Sequence, residues 1–299
     1  FNGEIYNFQD LRKELEQEGK TFLTHSDTEV ILALYERDGI SCLEKLRGMF
    51  AFAIYNSRDK KLFLARDRIG EKPLVFSETE KGLVFASEIP ALLKTGLVGK
   101  TLNERVLTLS TSGHFRHVPD PFSLWENIEK LKPASFFIRN QQGNREQKFY
   151  WTLPKRKFLD VSPQDLKKKV IEAVALTTVS DVPIALLLSG GADSSIIAHV
   201  LKNELQKPFQ AFAFGRNEQD EEIVRARKVA AFLNLDLHVS SLEKIQDKAL
   251  TMMASLIRQY GEPLYLLPMV YGLLLFQGIR KAGLKVVLTG AGADELFFG

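Results

Sequence analysis

The first 150 residues alternate short apolar runs with polar turns, interrupted by two stretches of helical period. In "FQDLRKELEQEG" (8–19), Phe8, Leu11 and Leu15 share one helical face and Gly19 supplies a stop. "SDTEVILALYERDG" (26–39) predicts a second helix, with Ser26 as N-cap and Glu29 closing a capping box. Val30, Ile31 and Leu34 form its apolar stripe. Runs rich in β-branched and aromatic residues at 48–56, 61–67, 73–78 and 82–87 predict four strands, close enough in sequence to pair antiparallel. "FNGEIYNF" (1–8) reads as a further strand entering a turn.

The second half repeats strand, loop and helix. "PIALLL" (183–188) is a continuous apolar run, the mark of a strand covered on both faces. A helix at 194–205, a strand at 209–214, a helix at 221–234 and strands at 235–240 and 285–290 follow. This alternation predicts a parallel sheet with helices packed on it. Between the halves, "TLPKRKFLDVSP" (152–163) has two prolines, a Lys155–Lys157 basic cluster and no period, so it reads as a linker. The expected organisation is a two-domain α/β chain: an α+β domain with antiparallel sheets at 1–151, a linker at 152–161, and a parallel-sheet α/β domain at 162–299.

Composition narrows the function classes. Lys and Arg number 40 against 37 Asp and Glu, giving a net charge of +3, which demands no nucleic-acid partner. No apolar run reaches membrane-spanning length; the longest, around 264–276, is interrupted by Pro268 and Gly272. A single cysteine, Cys42, excludes an intrachain disulfide and fits a reducing compartment, and with no signal peptide visible the expected location is cytoplasmic. Cys42 lies on an apolar helical stretch, where core packing is its expected role.

Parallel sheets bind ligands beyond the C-terminal ends of their strands. Leu188 is followed by "SGGADSS", Ser189 to Ser195. Gly190 and Gly191 let the backbone turn sharply, and amides, serine hydroxyls and a helix N-terminus then converge as a phosphate or pyrophosphate site. Asp193 fits such a site if a Mg²⁺ bridges carboxylate and phosphate oxygens. Neither G-x-x-x-x-G-K-[ST] nor G-x-G-x-x-G occurs, which argues against a Walker-type loop and a dinucleotide cofactor. A second loop, "TGAGADE" (Thr289 to Glu295), repeats the logic after "KVVL", so Asp193 and Asp294 are expected to face each other across one metal–pyrophosphate group. His114 and His117 lack partner ligands at metal spacing, and "HSD" (25–27) cannot converge as a hydrolase triad.

At these residues the chain resembles the asparagine synthetase family, glutamine-dependent amidotransferases with a pyrophosphatase-type ATP loop. "FNGEIYNF", "SDTEVIL", "CLEKLRGMFAFAIY", "LFLARDRIGEKPLVF" and "FASEIPALL" are similar to its glutaminase domain, and "SGGADSS" and "TGAGADELF" to its synthetase domain. The resemblance implies an N-terminal-nucleophile glutaminase fold that releases ammonia from glutamine. It further implies an ATP- and Mg²⁺-dependent domain that converts aspartate, through an acyl-adenylate, into asparagine, with glutamate, AMP and pyrophosphate as co-products. Another carboxylate substrate, or a non-catalytic nucleotide-binding role, are the alternatives. Carried over, Asn2 and Gly3 form the glutaminase oxyanion hole, and Glu4 and Asp27 hold the α-amino end of glutamine. On residues alone, "NGE" also reads as a hairpin turn and Asp27 as a helix cap. Leu188 and Phe214 contact the adenosine; Ser189, Gly190, Gly191, Ser194 and Ser195 hold phosphates; Thr289 and Gly290 lie by the nucleotide; Asp193 and Asp294 bind the metal. Glutamine and aspartate, or another carboxylate, are the expected partners, with a homodimer as one candidate assembly.

The chain departs from the family pattern in places. It starts at Phe1, where the resemblance places the nucleophilic cysteine and an arginine further upstream, and it stops at Gly299, ahead of a lysine-bearing helical region, so it is expected to be a fragment without glutaminase activity. Ala291 stands where the family carries an acidic residue, Phe298 where it carries glycine, and Gly261 where aspartate is common, with Glu262 left as the neighbouring carboxylate. These changes keep ATP as the expected ligand and unsettle aspartate as the substrate.

Overall fold

The computed structural model describes residues 1–111, 117–153, 161–241, 249–263 and 267–297. The basic cluster at 155–157, His114 and Phe298 lie outside them. The chain falls into two compact units, Phe1–Lys157 with Ser255–Tyr265, and Phe158–Ala254 with Leu266–Gly299.

The first unit contains β1 (Asn2–Ile5), α1 (Phe8–Gln17), α2 (Asp27–Asp38), α3 (Cys42–Lys45), β2 (Gly48–Asn56), β3 (Lys61–Arg66), β4 (Val75–Thr79), β5 (Gly82–Ala86), α4 (Ile89–Lys94), α5 (Glu104–Thr111), β6 (Glu129–Lys130), β7 (Ser135–Arg139) and β8 (Arg145–Phe149). Its strands make two antiparallel sheets, β1-β2-β3-β7-β8 and β5-β4-β6. The alternation of side chains explains the layering. Phe50 and Phe52 of β2, Phe63 of β3 and Phe136 of β7 pack with Leu11, Leu15, Val30 and Leu34 of α1 and α2. The intervening residues Ala51, Leu64 and Phe137 face the other way, against Phe76 of the second sheet and Leu74 just before it. Val75 and Ile128 then pack on Ile89 and Leu92 of α4. The result is helix, sheet, sheet, helix, and a sheet buried on both faces explains why "MFAFAIY" shows no polar alternation.

The strands predicted at 48–56, 61–67, 73–78 and 82–87 pair antiparallel, as two hairpins in different sheets. The loop between them is fixed by its own charges. The buried Arg66 donates from Nε to the Lys72 carbonyl at 2.7 Å, from Nη1 to Leu131 O and Asp120 Oδ2 at 2.6 Å, and from Nη2 to Gly70 O at 2.8 Å. The buried Asp67 carboxylate accepts from the amides of Phe50, Ile69, Glu71 and Lys72. The Ser26 cap forms, its hydroxyl accepting from Thr28 N at 3.2 Å, but the box does not close. Glu29 turns away to accept from the amides of Leu23 and Thr24, each at 2.8 Å, and these bonds hold its carboxyl below the usual range. Cys42 is fully buried in the first core, where burial pushes its thiol up to about 12.

The second unit contains α6 (Pro163–Thr177), β9 (Ile184–Leu187), α7 (Ala192–His199) continuing into a π-helical turn at Val200–Glu204, β10 (Phe209–Gly215), α8 (Glu221–Leu233), β11 (Leu237–Ser241), α9 (Ala249–Tyr260), α10 (Leu267–Lys281), β12 (Val286–Leu288) and α11 (Ala293–Phe297). From Ser255 onward, α9 belongs to the first unit. The sheet runs β11-β10-β9-β12 with every pairing parallel. Leu186, Ala211 and Ala213 face Val174, Ala198, Ala226 and Ala230 of α6, α7 and α8. Ala185 and Phe212 face Leu275 and Ile279 of α10 on the other side. Pro268 does not interrupt α10; it is the helix's second residue, where a missing N–H leaves no bond unmade. No helix among the described residues is long and apolar enough to cross a membrane.

Candidate functional site

A cavity of about 350 Å³ opens at the C-terminal ends of β9, β10 and β12. Its wall includes Leu188, Ser189, Gly191, Asp193, Ser194, Phe214, Gly290 and Asp294 among the residues singled out from sequence. Gly190, Ser195 and Thr289 do not line it, and each shapes or braces one of the loops. Gly190 has φ +73°, and a Cβ there would overlap the backbone of Arg225 and Ala226, so it lets the loop approach α8. The Ser195 hydroxyl donates to the Gly191 carbonyl at 2.7 Å. Thr289 Oγ1 accepts from Ala291 N at 3.2 Å, closing the second loop on itself.

The first loop is pinned from within. The buried Ser194 hydroxyl lies 3.0 Å from Ser189 Oγ and accepts from Ser189 N at 3.2 Å, while Ser189 Oγ accepts from Gly191 N at 3.3 Å. Gly191 is the N-cap of α7 and makes no side-chain cap bond, so the first amides of the helix are left for a ligand. The two loops touch: a Cβ on Gly290 would sit 2.9 Å from Asp193 Cβ and 3.1 Å from Ser194 N. Gly290→Ala is therefore expected to displace Asp193, at a cost of ~1–3 kcal/mol in urea unfolding of the second unit.

Asp193 and Asp294 line one cavity from opposite loops, and neither carboxylate has a hydrogen-bond or ion-pair partner among the described residues. No cluster of three metal-ligating side chains occurs among those residues. Two hard oxygen donors without a full protein cage suit Mg²⁺, which keeps waters and takes phosphate oxygens as its remaining ligands. Leu187, Phe212, Glu222 and Leu275 complete the wall, and none of them stood out as a site residue in the sequence. A neighbouring cavity of about 450 Å³, lined by Arg216, Asp220 and Tyr271, shares Phe214, Glu222 and Leu275 with the first. The Phe214 and Tyr271 rings lie 5.9 Å apart. Strand-end logic would have reached Glu222 had it been followed past β10 to the first turn of α8.

The departures take physical form here. Ala291 lies in the cavity wall, so the acidic group expected there is replaced by a methyl. Gly261 caps α9, its amide donating to Ile257 O at 2.8 Å, with φ +79° and no room for a Cβ beside Ile89 and Pro90. Glu262 does not stand in for the missing aspartate. It is 2% exposed and fully engaged in the first unit, accepting from Leu124 N at 2.8 Å and pairing with Lys130 Nζ at 2.6 Å.

In the first unit "NGE" is strand, not turn: Asn2 to Ile5 pair with Ala51 to Gly48. Gly3 has φ +151°, and any Cβ would overlap the Met49 carbonyl oxygen. Asn2 Nδ2 donates to Ser87 Oγ at 3.2 Å. Asp27 does not cap α2; Ser26 does that, and Asp27 Oδ2 accepts from Ile5 N at 3.1 Å. Asn7 anchors the following turn, donating to Lys45 O at 3.0 Å and accepting from Arg47 N at 2.9 Å. Asp27 is thus joined to the strand that carries Asn2, Gly3 and Glu4. A cavity of about 550 Å³ in this unit, lined by Phe1, Thr24, Glu29 and Phe52 among others, includes none of the four. Tyr6, next to this strand, is pushed up to about 12 by burial and then by the negative charges of Glu71, Glu4 and Asp67.

Comparison with known proteins accords with both units. Residues 1–151 match the glutamine amidotransferase domain family, and residues 165–299 match the asparagine synthase family. The chain is 34% identical over 305 residues to asparagine synthetase [glutamine-hydrolyzing] 1 of Bacillus subtilis, covering all of this chain and 47% of that protein. It is 32% identical over 321 residues to the amidase chry2 of Gibberella zeae, covering all of this chain and 46% of that protein. It is 30% identical over 325 residues to the amidase chyE of Penicillium rubens, again with 46% of that protein covered. The chain thus spans about half the length of the curated relatives it matches. With antiparallel sheets under the first match, a parallel sheet under the second and both diagnostic loops lining one cavity, the chain belongs to the asparagine synthetase family.

Proposed function

We propose that this protein is a glutamine-dependent ligase that uses ATP to activate a carboxylate and amidates it with glutamine-derived ammonia. The supporting observation is the contact between the two loops at Gly290 and Asp193, which gathers α7 amides, serine hydroxyls and two unpartnered carboxylates around one cavity. The glutaminase domain spans 1–151, a linker 152–161, and the ATP-binding domain 162–299. Asp193 and Asp294 would hold Mg²⁺, which when bound neutralises charge on the pyrophosphate group. Amides at the start of α7 and the Ser189 and Ser194 hydroxyls orient the phosphates, while Leu188 and Phe214 flank the adenosine. The substrate carboxylate attacks the α-phosphorus and pyrophosphate leaves; ammonia then attacks the acyl carbon and AMP leaves.

In the first domain, Asn2 Nδ2 and the Gly3 amide face the developing oxyanion of glutamine. Strand alternation places the Gly3 N–H on the same edge as that of Ile5, which points away from β2 toward Asp27. The acidic surroundings of Glu4, Asp67 and Glu71 suit the glutamine ammonium. The protein acts in the cytoplasm, with a homodimer as its assembly.

Aspartate is the first candidate substrate, giving asparagine. A different acid is favoured by Ala291 in the cavity wall and by the engagement of Glu262 elsewhere, which leave two fewer acidic groups for a substrate ammonium. The test is release of pyrophosphate from MgATP by the full-length protein with ammonia and a panel of carboxylic acids. Release with aspartate supports asparagine synthesis, and release with another acid alone supports the second reading. No release with any acid would overturn both.

A further inference from the structure

We infer that Glu222 recognises the ribose of the nucleotide and makes the site selective for a nucleotide carrying the 2′,3′-diol. The inference rests on the ATP reading and adds to it a residue that no part of that reading requires. The phosphate cavity lies between the loops after β9 and β12, at Ser189 to Ser194 and Gly290 to Asp294. The adjoining cavity, toward the end of β10, is walled by Tyr271, Gly272 and Arg216. A nucleoside triphosphate that puts its phosphates in the first and its base in the second must carry its sugar across the shared wall. Three residues form that wall, Phe214, Glu222 and Leu275, and Glu222 alone among them has a polar side chain.

The Glu222 carboxylate is free for this role. Only its backbone amide is engaged, donating to the N-cap Asp220 at 3.1 Å, and its side chain has no partner among the described residues. The nearby cations are already taken, Arg216 by Asp220 at 3.1 Å and Arg225 by Glu221 at 3.3 Å. Glu222 lies in the first turn of α8. An ionised carboxylate only accepts hydrogen bonds. It is therefore a poor neighbour for phosphate oxygens, which also only accept, and a good one for two vicinal hydroxyl donors.

The experiment compares binding of ATP and 2′,3′-dideoxy-ATP, each with Mg²⁺, to the full-length protein by calorimetric titration. The wild type is expected to bind the dideoxy analogue ~10-fold or more weakly, the worth of a hydrogen bond to a charged acceptor. Glu222→Ala should bind both alike, and Glu222→Gln should keep part of the preference. A simple charge effect of the substitution would move both affinities together and leave their ratio unchanged. Equal binding of the two nucleotides by the wild type, or a preference that survives in Glu222→Ala, would overturn the inference while leaving the ATP reading intact. No ATP binding by the wild type would overturn that reading, and this inference with it.

Discussion

Mg²⁺ is expected to invert the order in which wild type and Asp193→Asn bind pyrophosphate. Without a divalent ion, the wild-type carboxylate faces the anion with no cation between them, so Asp193→Asn should bind inorganic pyrophosphate more tightly than the wild type. With Mg²⁺ the order should invert, because the variant has lost one of the two loop carboxylates that line the cavity. Acid-dependent pyrophosphate release from MgATP should fall about 10²–10³-fold, the usual worth of one group placed to meet transition-state charge. The substitution keeps the Cβ that abuts Gly290, so the loops should stay in contact. Titration of wild type and variant with pyrophosphate, with and without Mg²⁺, reads the effect. A change in the same direction under both conditions would show that Asp193 does not act through a cation.

The largest expected loss of stability is at Glu262. Its carboxylate is buried, accepts from Leu124 N, and pairs with Lys130, whose ammonium also donates to Val118 O at 2.8 Å. Glu262→Ala would leave the 14%-exposed Lys130 charge without its counter-ion and the Leu124 amide without an acceptor, at a cost of about 3–5 kcal/mol. Adding Lys130→Met to the variant should recover much of the loss, since a buried pair is worth little more than its apolar replacement. Urea unfolding followed by Trp125 fluorescence suits the measurement, because its indole donates to Gly261 O at 2.7 Å. A loss below about 1 kcal/mol for Glu262→Ala would mean that the pair is solvated.

How much was legible in the sequence followed from how local each determinant is. β9 and β10 are apolar on both faces, so their runs announce parallel strands without any partner. The phosphate loop is local too, since glycines, serines and a helix start follow one another within seven residues. By contrast β8, "REQKF", is exposed throughout and carries no hydrophobic signal; pairing with β7 alone makes it a strand. α6 was missed because Val174 is its one buried residue. That Glu262 is buried and engaged elsewhere was not legible beside Gly261, because Leu124, its amide partner, lies 138 residues earlier. Arg66 and Asp67 marked the family in sequence, yet their task of bracing the loop between sheets depends on the carbonyls of Lys72 and Leu131 and the amide of Phe50, groups up to 65 residues away. Glu222 became visible only when β10 and α8 placed it on the wall shared by two cavities.

The fate of ATP tests the central claim most directly. The full-length protein would be incubated with MgATP, ammonia and a panel of carboxylic acids, and the products resolved by phosphorus NMR. The account predicts AMP and pyrophosphate in equal amounts, formed only when an accepted acid is present. ADP and inorganic phosphate as the products would contradict it, because the two loops would then serve cleavage at the γ-phosphate rather than activation of a carboxylate at the α-phosphorus.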